Sequence, residues 1–366
     1  RPGSARWYDA AERFTWAVGM IGKAEQIEEL VTILSKAGPE PDAEVAWLVA
    51  WVSIAEKLLS FLRRDRGNEI YSMVEAWEAS SPSRYPAVLA RMSSVRAIRA
   101  LHDGKAVDLL NSAAAAVRYN EAAGNTRNAC LQRVSAALGY IELGAFSQAE
   151  SMMRDSLEEA NQTGMDLVAA YSRLFLGIAL KAKPELEKAR ELVEEAARQF
   201  STAGAAQQAG YAMAAHATLL MLVGDLKEAE EVARKAVEVV REFPSPRTYA
   251  LAALASVLTG SGSFEEALKA AREAMESIEK NISVPGGEAF IWLVYAEALH
   301  AAGQLEEARG VIASARDRVL RRAPAESEPA WRASYLTNVP ENARILALAQ
   351  AWLSEAGGQA AQPAPR

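Results

Sequence analysis

Over residues 225–243, Leu226, Ala229, Val232, Ala233, Ala236, Val237 and Val240 repeat at intervals of three and four, the spacing of one helix face. The opposite face is charged, and Glu230–Arg234 and Glu231–Lys235 make i, i+4 pairs with the acid first. Phe243-Pro244-Ser245-Pro246 stops this helix; Gly164 and Gly204 serve in the two preceding segments, and Pro285-Gly286-Gly287 in the next. No segment shows the alternating, β-branched pattern of a strand. The pattern predicts helices throughout, joined by short turns.

The turns are periodic. Gly144-Ala145-Phe146, Pro184-Glu185-Leu186, Gly224-Asp225-Leu226, Gly262-Ser263-Phe264 and Gly303-Gln304-Leu305 are each followed three residues later by an alanine: Ala149, Ala189, Ala229, Ala267 and Ala308. Gly104-Lys105-Ala106 with Leu109 is a weaker copy, and Gly22-Lys23-Ala24 with Ile27 a weaker one still. Successive turns from Gly104 lie 40, 40, 40, 38 and 41 residues apart. The step from Gly22 to Gly104 is 82, two periods, which places a blurred turn near residues 63–68. Seven residues before each clear turn stands a small residue: Ala97, Ala137, Gly177, Ala217, Ala255 and Ala296. Small residues at a fixed register let two helices of a hairpin approach closely. Each unit therefore reads as helix A, turn, helix B, loop. About eight such hairpins bury their apolar faces by stacking on their neighbours. Stacking also explains how 366 residues escape the limit of a single core, about 250–300 residues.

The clearest unit runs Trp292, Tyr295, Ala296, Leu299, Gly303, Leu305, Ala308. This order resembles the tetratricopeptide repeat, closely over about residues 90–325 and loosely over 6–90. Arg133, Arg173, Met213 and Leu251 depart from it by standing where Trp292 does, and the period is near 40 instead of about 34. The longer period is similar to the MalT-like arrays of bacterial maltose-regulator-type signalling ATPases and to arrays attached to bacterial Ser/Thr kinases. The segment from Tyr335 to Ala349, with Pro340 suited to a helix first turn, resembles the closing segment of such arrays. The resemblance implies an all-α, right-handed α-α superhelix. Its expected parts are two degenerate hairpins over 6–90, six repeats over 91–325, and a cap over 326–354 in which Leu346, Ala349 and Leu353 cover the last repeat. Residues 1–5 read as a leader or cloning remnant, or as the start of a piece of a longer chain, and 355–366 as a linker or disordered tail.

In the tetratricopeptide family the A helices line a concave groove. Two residues before each Trp292-type position, turned about 200° from the A/B packing face, stand Leu131, Tyr171, Tyr211, Tyr249 and Phe290. Four successive aromatics at one register form a ladder, and helical neighbours extend it through Thr218, Met221, Glu297 and His300. Tyrosine offers rigid apolar area and a hydroxyl at low entropic cost, so such a row suits an extended peptide or a partner's helix. The same rings are equally what packing between repeats would use, and one ring can do both.

Charge and composition narrow the partner. A net charge of −7 and a pI near 5.4 argue against nucleic acid or an anionic membrane surface. The longest apolar run, near 215–223, is far shorter than the roughly 18 residues of a span. Cys130 is a single cysteine and ties the chain to no oxidising compartment, so a cytoplasmic location is expected. His102, His216 and His300 are too scattered for a metal site. Gly19, Gly22 and Lys23 lack phosphate-loop spacing. Arg316, Arg318, Arg321 and Arg322 form one local basic cluster. No catalytic constellation, cofactor motif or metal set stands out. The expected function is a non-enzymatic scaffold binding a protein or peptide in the concave groove. The alternative is a ligand-sensing or autoregulatory arm of a larger bacterial signalling protein, a Ser/Thr kinase or STAND-type ATPase, with an upstream domain of the same chain as a further partner.

Overall fold

The structure is a computed structural model of the chain that describes residues 1–20, 23–61, 63–80, 85–181 and 185–359, without the side chains of Met20 and of 355–359. The turns expected at Gly22 and Pro184, and the tail from residue 360, lie outside the described residues. Among those described there are eighteen helices and no strand. The chain separates into two compact units, residues 1–103 with 108–136 and residues 104–107 with 137–366.

The first unit contains α1 (Ala5–Met20), α2 (Ala24–Leu34), α3 (Glu44–Ser60), α4 (Arg64–Ser80) and α5 (Pro86–Asp103). It also holds most of α6 (Ala106–Ala122) and the first part of α7 (Thr126–Glu142). α3 is its axis, packed on α1, α4 and α5. Ten of its seventeen residues are buried, so its apolar positions run round the whole helix instead of keeping to one stripe. Tyr8, Ile27, Trp51, Ile54, Leu58, Tyr71 and Val88 join in one core. The Tyr8 hydroxyl is satisfied by donating to Ala37 O at 2.9 Å.

The second unit continues with α8 (Phe146–Thr163), α9 (Asp166–Lys181), α10 (Leu186–Thr202), α11 (Ala206–Val223), α12 (Leu226–Val239), α13 (Pro244–Gly260), α14 (Phe264–Glu279), α15 (Glu288–Ala301) and α16 (Leu305–Arg322). Two more helices, α17 (Pro329–Thr337) and α18 (Pro340–Gln359), close the chain. From α9 to α16 each odd-numbered helix packs on its even-numbered successor and on the next odd-numbered helix, which is hairpin stacking. Turn glycines make the reversals sharp. Gly224 caps α11 at φ 94°, a conformation that favours a residue without Cβ, and its N–H reaches the Leu220 and Met221 carbonyls. Close helix approach explains the small residues seven positions earlier. A Cβ on Gly177 would sit 2.5 Å from Val193 Cγ2 and 2.9 Å from Ala189 O, both on α10.

The C-terminal end follows the same logic. α18 packs on α15 and α16, the place a next A helix would take. Ile345, Leu348 and Ala349 are buried there with Ile312, Ala315 and Val319 of α16, and Leu346 and Leu353 pack against them. α17 is an extra helix, set off by Pro329 in its first turn and anchored by Tyr335 in that same core. Asn342 Nδ2 donates to Tyr335 O at 3.0 Å, and Arg332 Nη1 to Pro324 O at 2.9 Å.

Candidate functional site

The A-helix register brings three rings together inside the second unit. Tyr211 on α11 and Tyr249 on α13 stack with centroids 4.6 Å apart and planes 27° apart. Phe290 on α15 follows at 5.6 Å, tilted by 47°. Tyr249 and Phe290 pack against a core of Ala214, Ala236, Val240, Ala250 and Ala253. All three rings nevertheless remain only half-buried. They form the edge of the inter-repeat core and each keeps part of its surface exposed.

The other predicted positions divide. Tyr171 leaves the row and packs edge-on against Phe200 of α10, centroids 4.9 Å apart at 70°, with Gln208 as hydrogen-bond partner. Leu131, half-buried on α7, belongs to the first unit. Thr218 is 4% exposed and its hydroxyl donates to Ala215 O at 2.7 Å, so it is a core residue. The reason is that 214–220 of α11 is buried all round, between α10, α12 and α13, and a stripe position there gains no opening. Met221 is half-buried, its Sδ accepting from Ser256 Oγ at 3.7 Å. Glu297 and His300 meet the chain's own α18. Glu297 pairs with Arg344 at 3.0 Å, and His300 stacks on Trp352 at 4.4 Å with planes 9° apart.

Beside the ring row lies a charged group that has no local signature in sequence. Lys181, at the end of α9, pairs with Glu341, at the start of α18, at 3.2 Å, the two side chains being 26% and 22% exposed. Burial alone would raise the Glu341 pKa, but the charge and hydrogen bond of Lys181 hold it below the ordinary carboxylate value. Glu142, in the last turn of α7, makes no ion pair or hydrogen bond among the described residues. Burial, then the charge of Glu341, push its pKa up to about 7, against the pull of Arg322. Its Oε1 lies 3.2 Å from where a Cβ on Gly286 would stand, just ahead of α15. Burial also raises the Tyr211 and Tyr249 phenols, with Glu142 and Glu341 each adding to both, and Tyr335 goes up to about 12 by burial and Glu142. The unpaired carboxyl, the ion pair and the stacked tyrosines thus share one interior.

The remaining sequence candidates are the histidines and the arginine cluster. His216 is buried, its pKa lowered by burial, and its Nε2 has no hydrogen-bond partner among the described residues. The His102 pKa is lowered to about 4 by burial and by Arg64. Arg318 and Arg322 both pair with Glu288, and Arg318 lies over the Trp292 ring at 5.2 Å. Arg316 pairs with Asp317 at 2.8 Å. Among the described residues no group of three or more His, Cys, Asp or Glu is arranged to hold a metal ion, and no helix is long and apolar enough to cross a membrane.

No protein-family model matches this chain, and no curated protein matches it either. Solved structures do. The chain is similar to a Rap protein complexed with competence and sporulation factor, at 12% identity and TM-score 0.64 over 97% of this chain and 99% of that one. It is similar to the Rap conjugation gene regulator of the plasmid pLS20 in complex with the Phr* peptide, at 13% identity and TM-score 0.52 over the whole of both chains. The apo quorum sensor NprR from B. thuringiensis gives 11% identity and TM-score 0.52 over 94% and 98%. At such identities the likeness is one of fold, and the fold is an all-α, tetratricopeptide-like solenoid.

Proposed function

We propose that this chain works by binding, and that the second unit takes an extended peptide, or a short segment of a partner protein, along the Tyr211–Tyr249–Phe290 row. The row itself carries this reading. Three contiguous rings from three successive repeats, Tyr249 and Phe290 held by core packing and Tyr211 stacked on Tyr249, each half-buried, form a rigid strip. An extended chain laid along such a strip buries alternate side chains against it and keeps its backbone free for polar contacts. Two proteins of similar fold were solved with a sporulation factor or a peptide bound, which supports a peptide as the class of ligand. A regulatory binding protein acting in the cytoplasm, with no reaction of its own, is the function that fits.

The test is a pool of short synthetic peptides of varied sequence, with retained members identified by mass and their affinities then measured. Tyr211→Leu combined with Tyr249→Leu keeps apolar volume for the inter-repeat core but removes the flat rings. The pair should weaken every selected peptide about 10- to 100-fold, the range of one or two lost aromatic contacts. Unchanged affinity in that variant, with the helical signal intact, would place the ligand elsewhere.

One observation favours a second reading. The turns recur every 38–41 residues, the long period of MalT-like arrays in multidomain signalling proteins, which would make this chain the sensing arm of a Ser/Thr kinase or STAND-type ATPase. Antibody capture of the native polypeptide and measurement of its mass decides it. A native chain no longer than this one removes that reading.

A further inference from the structure

α17 makes contacts on two sides. One side is bound into the C-terminal end by the buried Tyr335, by Asn342 Nδ2 donating to Tyr335 O, and by Arg332 donating to Pro324 O. The other side reaches residues nearly two hundred positions earlier in the chain. Trp331 lies 6.3 Å from Tyr140, tilted by 49°. Asn338 Nδ2 donates to Gly144 O at 3.4 Å. One turn later Glu341 meets Lys181 at 3.2 Å. A cleft of about 500 Å³ runs along this line, bounded by Gly144, Phe146, Gln148, Trp331, Ser334 and Asn338.

These contacts close a ring. They join the first helices of the second unit to its last ones, and the charge of Glu341, at the joint, still reaches Tyr249 of the aromatic row. The joint is the polar part of that ring. Gly144 is buried against Asn338 and Ser334, but Tyr140, Lys181, Trp331 and Glu341 are half-buried and Asn338 is exposed, one hydrogen bond is long, and a part-exposed ion pair contributes little to holding two surfaces together. The anchored side, by contrast, is apolar and buried. A solenoid whose repeats touch only their neighbours flexes along its length, so the contact between distant repeats is the one that parts first.

We propose that this seam, latched by Lys181–Glu341 and Asn338–Gly144, is the mouth of the binding groove. It parts and re-closes while α16, α17 and α18 stay packed on one another. A ligand enters through the parted seam and is retained when it shuts, and the strength of the latch sets the ligand's rates of entry and exit. This proposal rests on the groove reading above, but its test needs no ligand, so either can fail alone.

The experiment is a distance measurement between two spin labels, on Ser147→Cys and Ala330→Cys, one on each lip. Both positions are exposed, and the native Cys130 is buried and stays unlabelled. The parent should give one main, short distance. Lys181→Glu, Glu341→Lys and Asn338→Ala should each add a longer population, and the charge-swapped Lys181→Glu/Glu341→Lys pair should return the short one. Hydrogen exchange through α16–α18 should stay unchanged in all of them. Single variants that superimpose on the parent overturn the proposal. So does a swap that fails to restore the short distance, or a long distance that appears only with faster exchange in α17 and α18, which would be local unfolding in place of a moving seam.

Discussion

Phe200→Ala should lower the unfolding free energy of the second unit by about 3–5 kcal/mol, the range for truncating a fully buried aromatic. Phe200 has no exposed surface, lies in the last turns of α10, and supports the edge of Tyr171 at 4.9 Å. Two losses add: the apolar area returned to water, and the cavity left between two helices of one hairpin that cannot collapse because Gly177 already holds α9 against α10. Stacked repeats pass a local loss to their neighbours only through interfaces, so the unfolding transition should broaden as well as shift. Denaturant titration followed by helical signal checks both. A loss below about 1 kcal/mol would mean that Tyr171 swings into the space, which a crystal structure of the variant would show.

The prediction rests on a contact that the sequence did not disclose, and the reason is general to this architecture. The A-helix register was legible because it repeats: one period places Tyr211, Tyr249 and Phe290 at equivalent points of three helices, and the three rings do meet. Tyr171 has the same register and a different fate, because a large Phe200 on its own B helix draws the ring aside where the next repeats offer smaller neighbours such as Val240. Thr218 shares the stripe of Tyr211 and is buried, since α11 is apolar on every side in its second half. Periodicity reports the angle of a side chain about its helix and leaves open what the next element lays over it. Glu297 and His300 show the same limit: their register faces outward, and α18 covers it. The cluster of Glu142, Lys181 and Glu341 was illegible for a different reason. Its members come from three helices up to two hundred residues apart, each at an unremarked helix end, and only the path of the repeats brings them together. α17 fell inside the expected cap, but that it reaches back to Gly144 follows from the curvature of the unit, which no residue spacing encodes.

Glu142→Gln should stabilise the protein above neutral pH and leave it unchanged in acid. The folded carboxyl has its pKa raised to about 7, by burial first and by Glu341 second, whereas in the unfolded chain it titrates near 4.5. A raised pKa means that the folded state prefers the protonated form. The stability of the native protein is therefore fully present below about 4.5 and is lost as pH rises toward 7, where the folded chain must accept a charge that the unfolded chain accepts freely. Glutamine keeps the neutral shape at every pH, so its advantage is absent at pH 4, grows between about 4.5 and 7, and is constant above. Its size is on the order of 2 kcal/mol, below the full conversion of the shift because Glu142 as a residue is only half-buried. Thermal unfolding of both proteins across that range checks the sign and the window. An advantage equal at pH 4 and pH 8 would be a packing effect, and no advantage at either would mean that Arg322 or Lys181 turns to pair the charge.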